Sequence, residues 1–169
     1  MRPGLLLLAA LAACSTVETS YDFDRSTDFD RLKSYSWLEP KTDGADANPL
    51  VRQRVLRALE AGFAAKGYAR QEAGGDFQVA VILRSRQRTE VRQSHYGYGY
   101  GYGWGGGRVD VYEYEEGSII VDVIDPRADK AIWRGVARSA VPRNPTPEQT
   151  DKLVAEAVTK ILENFPPPR

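Results

Sequence analysis

The chain is short of most groups that build reactive centres. It has one cysteine in 169 residues, so no disulfide can close within it. It has one histidine, His95, which without a cysteine cluster is poor ground for a metal site. We therefore read His95 as a bystander and expect neither metal nor cofactor. Charge of one sign is also missing. Lys+Arg and Asp+Glu both total 23, which argues against a nucleic-acid surface or an acidic tail. There is no phosphate-binding glycine loop, nucleophile motif or metal-ligand spacing. The longest apolar run, residues 5–13, is far below the roughly 20 residues that a spanning helix needs. What remains is an ordinary composition, 42% hydrophobic and 27% charged, enough for one packed domain.

The amino terminus is more specific. Arg2 supplies one positive charge, residues 5–13 are unbroken Leu and Ala, and Cys14 follows. A basic start, a short apolar stretch and small residues before a cut form the pattern of a secretion signal. Leu11-Ala12-Ala13-Cys14 resembles the lipobox of bacterial lipoproteins. That resemblance implies a diacylglyceryl group on the Cys14 sulfur, cleavage just before Cys14, and usually acylation of the new amine. Loss of residues 1–13 removes one cation, Arg2, leaving 22 basic against 23 acidic residues. Acyl chains such as palmitate contribute about 0.8 kcal/mol per buried methylene, and more than one chain is needed for firm anchoring. Ser15 follows the cysteine where Asp marks inner-membrane retention in related sorting, so the resemblance implies the outer membrane, facing the periplasm. Residues 14–20 then form the lipidated cysteine and a polar tether, and residues 21–169 the folded domain.

Periodicity lays out that domain. Alternation predicts short strands at 21–24 and 34–38. Asn48-Pro49 caps and opens a helix over 48–66, with Val51, Val55, Leu59 and Phe63 on one face and Lys66-Gly67 ending it. Strands follow at 76–92, at 109–125 with a kink near Glu116-Gly117, and at 131–141. Thr146-Pro147-Glu148-Gln149 is a capping box opening a helix with an apolar stripe from Leu153 to Leu162. Pro166-Pro167-Pro168 ends it, with Phe165 packing as the chain leaves. The three long strands should pair as an antiparallel meander. The first helix is long enough for a parallel crossover, which would make the sheet mixed. The fold class is α+β: two layers, one largely antiparallel or mixed sheet, both helices on one face.

Several motifs together carry a family likeness. They are Tyr21-Asp22-Phe23-Asp24, Tyr35-Ser36-Trp37, Lys66-Gly67-Tyr68, Glu116-Gly117-Ser118, Val121-Asp122-Val123-Ile124-Asp125, Ile132-Trp133-Arg134-Gly135 and Phe165-Pro166-Pro167. In this order and spacing the chain resembles the bacterial lipoproteins of domain-of-unknown-function family 4136, over nearly all of its mature length. The resemblance implies a secreted, usually lipid-anchored domain and carries no catalytic residues.

Three groups of side chains are candidates for contact. Tyr96, Tyr98, Tyr100, Tyr102 and Trp104 alternate with glycine inside residues 95–107. Either they are an aromatic contact loop for sugars, bilayer or protein, or the tract is a low-complexity hairpin tip. Arg84, Arg86 and Arg88, with Arg92, share strand parity. They meet lipid phosphates or acidic glycans, or form a solvated face paired with Asp110, Glu113, Glu115 or Glu116. Asp22, Asp24, Asp122 and Asp125 are the carboxylates available for acid–base chemistry, although Asp122 should face away from the core and Asp125 should shape a turn. Trp37 and Trp133 read as core, the latter before a bend at Gly135. The sequence thus points to a non-enzymatic, lipid-anchored envelope protein that binds an envelope protein or peptidoglycan through its loop or sheet face, held to the membrane by acyl chains on Cys14. A regulatory module docking on a cell-wall enzyme or transport complex, and a weak carboxylate hydrolase, are the alternatives.

Overall fold

A computed structural model describes residues 17–39, 48–94 and 108–168. The elements run β1 (Glu18–Phe23), a 3-10 turn at Phe29–Arg31, β2 (Ser34–Leu38), α1 (Pro49–Ala65), β3 (Ala69–Arg70), β4 (Phe77–Ser94), β5 (Arg108–Asp125), β6 (Lys130–Val141) and α2 (Pro147–Glu163). All six strands form one mixed sheet of order β1-β6-β5-β4-β2-β3. β4, β5 and β6 are the expected antiparallel meander. β2 lies parallel to β4, with α1 in the crossover.

The helix limits follow local chemistry. Asn48 accepts from the Leu50 N–H at 3.0 Å, and Pro49 occupies the first turn, where its missing N–H costs nothing. Gly67 leaves α1 at φ +86°. In α2 the Thr146 hydroxyl accepts from the Gln149 N–H, and the Gln149 side chain accepts from the Thr146 N–H at 2.9 Å, a complete capping box.

Alternation decides which sheet face is covered. Val79 and Val81 of β4, Val121 and Val123 of β5, and Trp133 and Ala137 of β6 are buried against Val55, Leu59 and Phe63 of α1 and Val158, Ile161 and Leu162 of α2. Phe165, fully buried, closes the C-terminal end of this layer. Its ring lies 5.1–6.1 Å from those of Trp133, Tyr68, Phe63, Phe77 and Phe29. The Trp133 indole donates to the Asn164 carbonyl at 3.1 Å, which satisfies its one polar atom. Trp37 packs partly buried, edge-on to Tyr35.

Four details differ from the sequence reading. β1 begins at Glu18, and Val17 before it is buried, so residues 17–20 belong to the fold rather than to the tether. β3 adds a sixth strand that two residues could not announce by periodicity. β5 runs through Gly117 without a register shift; the irregularity lies against β6 between Val123 and Ile124. Gly135 makes no bend either. It is an ordinary strand residue between Tyr21 and Val121, and glycine is required because the Trp133 ring lies over it. A Cβ there would overlap that ring and stand 2.8 Å from Ile161 Cγ2.

The parallel joint between β2 and β4 is clamped by one carboxylate. Asp76 Oδ2 accepts from the Lys33 and Ser34 N–H groups at 2.9 Å and from the Ser34 hydroxyl at 3.0 Å. These donors favour the ionised form and hold Asp76 below its ordinary pKa of 3.8. A carboxyl depressed in the folded state stabilises above its unfolded pKa, and that stability is lost as pH falls through the folded value. Asp76→Ala should therefore cost about 1 kcal/mol at neutral pH, an exposed-site magnitude. The gap from the parent should narrow in acid, as read by urea unfolding at each pH. Gly135→Ala, by overpacking, should cost about 2 kcal/mol in the same assay with no such pH dependence.

Candidate binding surfaces at one end of the sheet

β4 and β5 are each 18 residues long and outrun their neighbours. β2 pairs with β4 only from Phe77 to Ala80, and β6 ends at Val141, opposite Glu115. From the Arg88–Tyr114 pair to the Ser94–Arg108 pair the two strands continue alone, a ribbon of roughly 20 Å. A two-stranded ribbon is marginal by itself in water. Residues 95–107, with Tyr96, Tyr98, Tyr100, Tyr102 and Trp104, join its two ends and lie outside the described residues, as do Cys14 and His95.

Arg84, Arg86 and Arg88 are exposed and share the sheet face that carries no helix. Arg88 reaches diagonally to Glu116 at 3.2 Å, the ladder pairing that the sequence offered as one alternative. Further along the same face, Arg134 grips Asp122 with two bonds of 2.6 Å, Nε to Oδ1 and Nη2 to Oδ2. Asp122 is only 6% exposed because the guanidinium covers it, and the carboxylate in turn raises the Arg134 pKa. The expectation that Asp122 turns away from the helical layer holds.

The other three candidate carboxylates are also engaged. Asp24 accepts from the Lys130 ammonium at 2.6 Å and from the Ser26 hydroxyl, both of which push its pKa well below the usual range. Asp125 accepts from the Arg127 N–H at 2.8 Å and shapes the turn, as expected. Asp22 accepts from the Phe23 N–H at 2.9 Å. Each of the four thus accepts a hydrogen bond from a partner within the protein. No group of three or more metal-ligating side chains occurs among the described residues.

Sequence reasoning missed a concave surface on the helical side. At the N-terminal ends of α1 and α2 the two helices stand over the sheet without filling the space, leaving a cleft of about 540 Å³. Leu83, Ile119 and Ala137 form its floor, and Val51, Leu153 and Ala157 its walls. Two of its polar groups have side-chain partners: Arg54 of α1 bridges to Asp151 of α2 at 2.6 Å, and the Ser85 hydroxyl donates to Glu115. The usable signal was side-chain size. Gly117, Ala137, Ser139 and Ala157 line this end, where the opposite end has Trp133, Phe63 and Phe165.

The first described residue, Val17, lies beside this cleft. Glu18 pairs with Arg138, so the antiparallel register sets Val17 next to Ser139. The Lys160 ammonium donates to the Val17 carbonyl at 2.9 Å, one helical turn along from Ala157. The amino-terminal entry, the cleft and the root of the ribbon therefore share one end of the domain.

No curated protein matches the chain. Among solved structures, a PDZ domain protein from Parabacteroides distasonis is similar over 91% of this chain and 36% of its own, at 12% identity and TM-score 0.57. This chain thus spans about a third of that protein, and the likeness is one of fold. PelC from Paraburkholderia phytofirmans, a dodecamer, is similar over 90% of this chain and 99% of its own, at 12% identity and TM-score 0.47. Lipoprotein GNA1162 from Neisseria meningitidis is similar over 78% and 99%, at 15% identity and TM-score 0.41. A family model matches residues 19–167, the whole sheet and both helices, and the chain belongs to the domain of unknown function family DUF4136.

Proposed function

We propose that this chain is a non-catalytic lipoprotein of the bacterial envelope, anchored in the outer membrane by acyl chains on Cys14 and facing the periplasm, and that it acts by binding another envelope component. The observation that carries the reading is directional. The entry at Val17 and the β4–β5 ribbon leave the domain at the same end. Two residues, Ser15 and Thr16, lie between Cys14 and Val17, so the three backbone steps reach roughly 10 Å at full extension. A lipid on Cys14 would therefore hold the ribbon end of the sheet against the membrane surface. Tyr and Trp suit the interface between hydrocarbon and water, and exposed arginines suit anionic headgroups and glycans. The tract at residues 96–104 and the row Arg84, Arg86 and Arg88 have these compositions. The partner is then an envelope protein or peptidoglycan met beside the membrane. No helix among the described residues is long and apolar enough to cross a membrane, so in this reading the lipid supplies the attachment.

Metabolic labelling with an alkyne fatty acid should mark the protein in cells, and Cys14→Ala should abolish both the label and recovery in the outer-membrane fraction. Removing residues 96–107 should keep the label and lose the partners captured by crosslinking in cells. Reproducible protein partners would favour a regulatory docking role, and retention on glycan alone a wall binder. Unchanged capture after the deletion would remove the loop from the proposal.

A further inference from the structure

The apolar cleft between the helix N-termini has no part in the binding proposed above. We propose that it holds one acyl chain carried by Cys14 of the same molecule. The inference rests on the reading of Cys14 as a lipidated cysteine.

Three observations converge on this occupant. The first is chemistry. The floor and walls of the cleft are Leu83, Ile119, Ala137, Val51, Leu153 and Ala157, while of its charged lining residues Arg54 is paired with Asp151 and Glu115 accepts from Ser85. The floor and walls suit hydrocarbon, and the polar residues lie among the other lining groups. Its volume of about 540 Å³ is that of a small-molecule site. The second is position. Val17 is buried next to Ser139, which lines the cleft, and its carbonyl is held by Lys160, one turn beyond Ala157. The polypeptide is therefore pinned at the edge of the cleft, three residues after the lipidated sulfur. The third is reach. A tether of roughly 10 Å makes the encounter intramolecular, with effective concentrations of millimolar order or above. A phospholipid of the bilayer has no such advantage, because it must leave its leaflet to enter.

Hydrocarbon in the cleft is hydrocarbon withdrawn from the bilayer. Firm anchoring takes more than one chain. Stowing one chain in the cleft therefore loosens the anchor, and releasing it tightens the anchor, without any change in the fold of the sheet.

A photoreactive test reads the occupant directly. Cells are fed a fatty acid bearing a diazirine and an alkyne, membranes are irradiated, and the protein is digested for mass spectrometry. Adducts of the Cys14-linked chain should map to peptides of β4, β5 and α2 that contain Leu83, Ile119 and Leu153. Ala157→Leu, which fills the cleft, should lower the yield about ten-fold. Leu153→Arg should do the same, so that a folding defect in one variant, seen by circular dichroism, leaves the other informative. Mixing isotopically heavy and light protein tells chains of the same molecule from those of a neighbour. Adducts outside the cleft, adducts between molecules, or yields indifferent to both substitutions would overturn the proposal. Cleft adducts persisting in Cys14→Ser would assign the site to bilayer lipid and overturn it equally. Absence of label on Cys14 itself is a separate result: it removes the lipoprotein reading, and this inference with it, before any cleft peptide is examined.

Discussion

Burial of a single face of the sheet is the constraint on which the rest depends. Two helices cannot cover both sides of six strands, so both lie on one side and the other side must be made of side chains that tolerate water. Along the covered side the packing is uneven. At the C-terminal ends of the helices, Phe63, Tyr68, Phe77, Trp133 and Phe165 pack ring against ring, and Phe165 reaches five other rings. Aromatic side chains bury the most area per residue, so this end sets the depth of the layer. Helices fixed at that depth stand off the sheet wherever the side chains between them are small. At their N-terminal ends these are Ala137, Ser139, Ala157 and Gly117, and the layer opens into the cleft. One gradient of side-chain volume thus makes both the rigid end and the hollow one.

The elements legible in the sequence are those with a strong local cause. The capping box at Thr146, the Asn48-Pro49 start and the Lys66-Gly67 stop fix both helices within a residue or two. Period-two alternation fixes the three long strands. The antiparallel meander and the one-sided helical layer follow from these, and the parallel β2–β4 pair was left open only because crossover depends on tertiary placement. What stayed hidden has a tertiary cause. Gly117 and Gly135 carry the usual sign of a bend, yet both sit in unbroken strands. The second is glycine because an indole two residues away lies across it. Gly62 is similar: Leu162 of α2 packs where its Cβ would stand, so the two helices approach closely there. For Gly62 the partner is a hundred residues away, and for Gly135 it is two residues away but is laid over the glycine only by the packing of the layer. The cleft was invisible for the same reason, since its floor and walls come from five separate elements.

The uncovered face shows how a sheet handles its charges. Asp122 would be an expensive burial by itself, but Arg134 lies across it with two short bonds while remaining half exposed to water. Asp22 stands opposite Arg134 on the edge strand, so the arginine sits in a row between two acids. Next along the strands come Ile82, Ile120 and Val136, and beyond them Arg84 and Arg138. Toward the ribbon this face carries Arg86 and Arg88, with Glu116 paired opposite Arg86. Cross-strand attraction of that kind is worth only a few tenths of a kcal/mol to about 1 kcal/mol per pair.

The aromatic cluster and the first described residue, Val17, therefore lie at opposite ends of the layer. β1 joins them. It runs from Glu18, next to Val17 beside the cleft, to Phe23, which meets Phe29 in the aromatic cluster, and each of its residues pairs with β6. A pull on the amino terminus is taken up by the β1–β6 ladder, loaded in shear along its length, before it reaches the core. The Lys160 bond to the Val17 carbonyl adds a first stop at the point of entry. A domain tethered by a long polar linker would need neither feature. Under the lipid anchor proposed above, within about 10 Å of Val17, a load would enter through this first strand, which is paired with β6 from Glu18 onward.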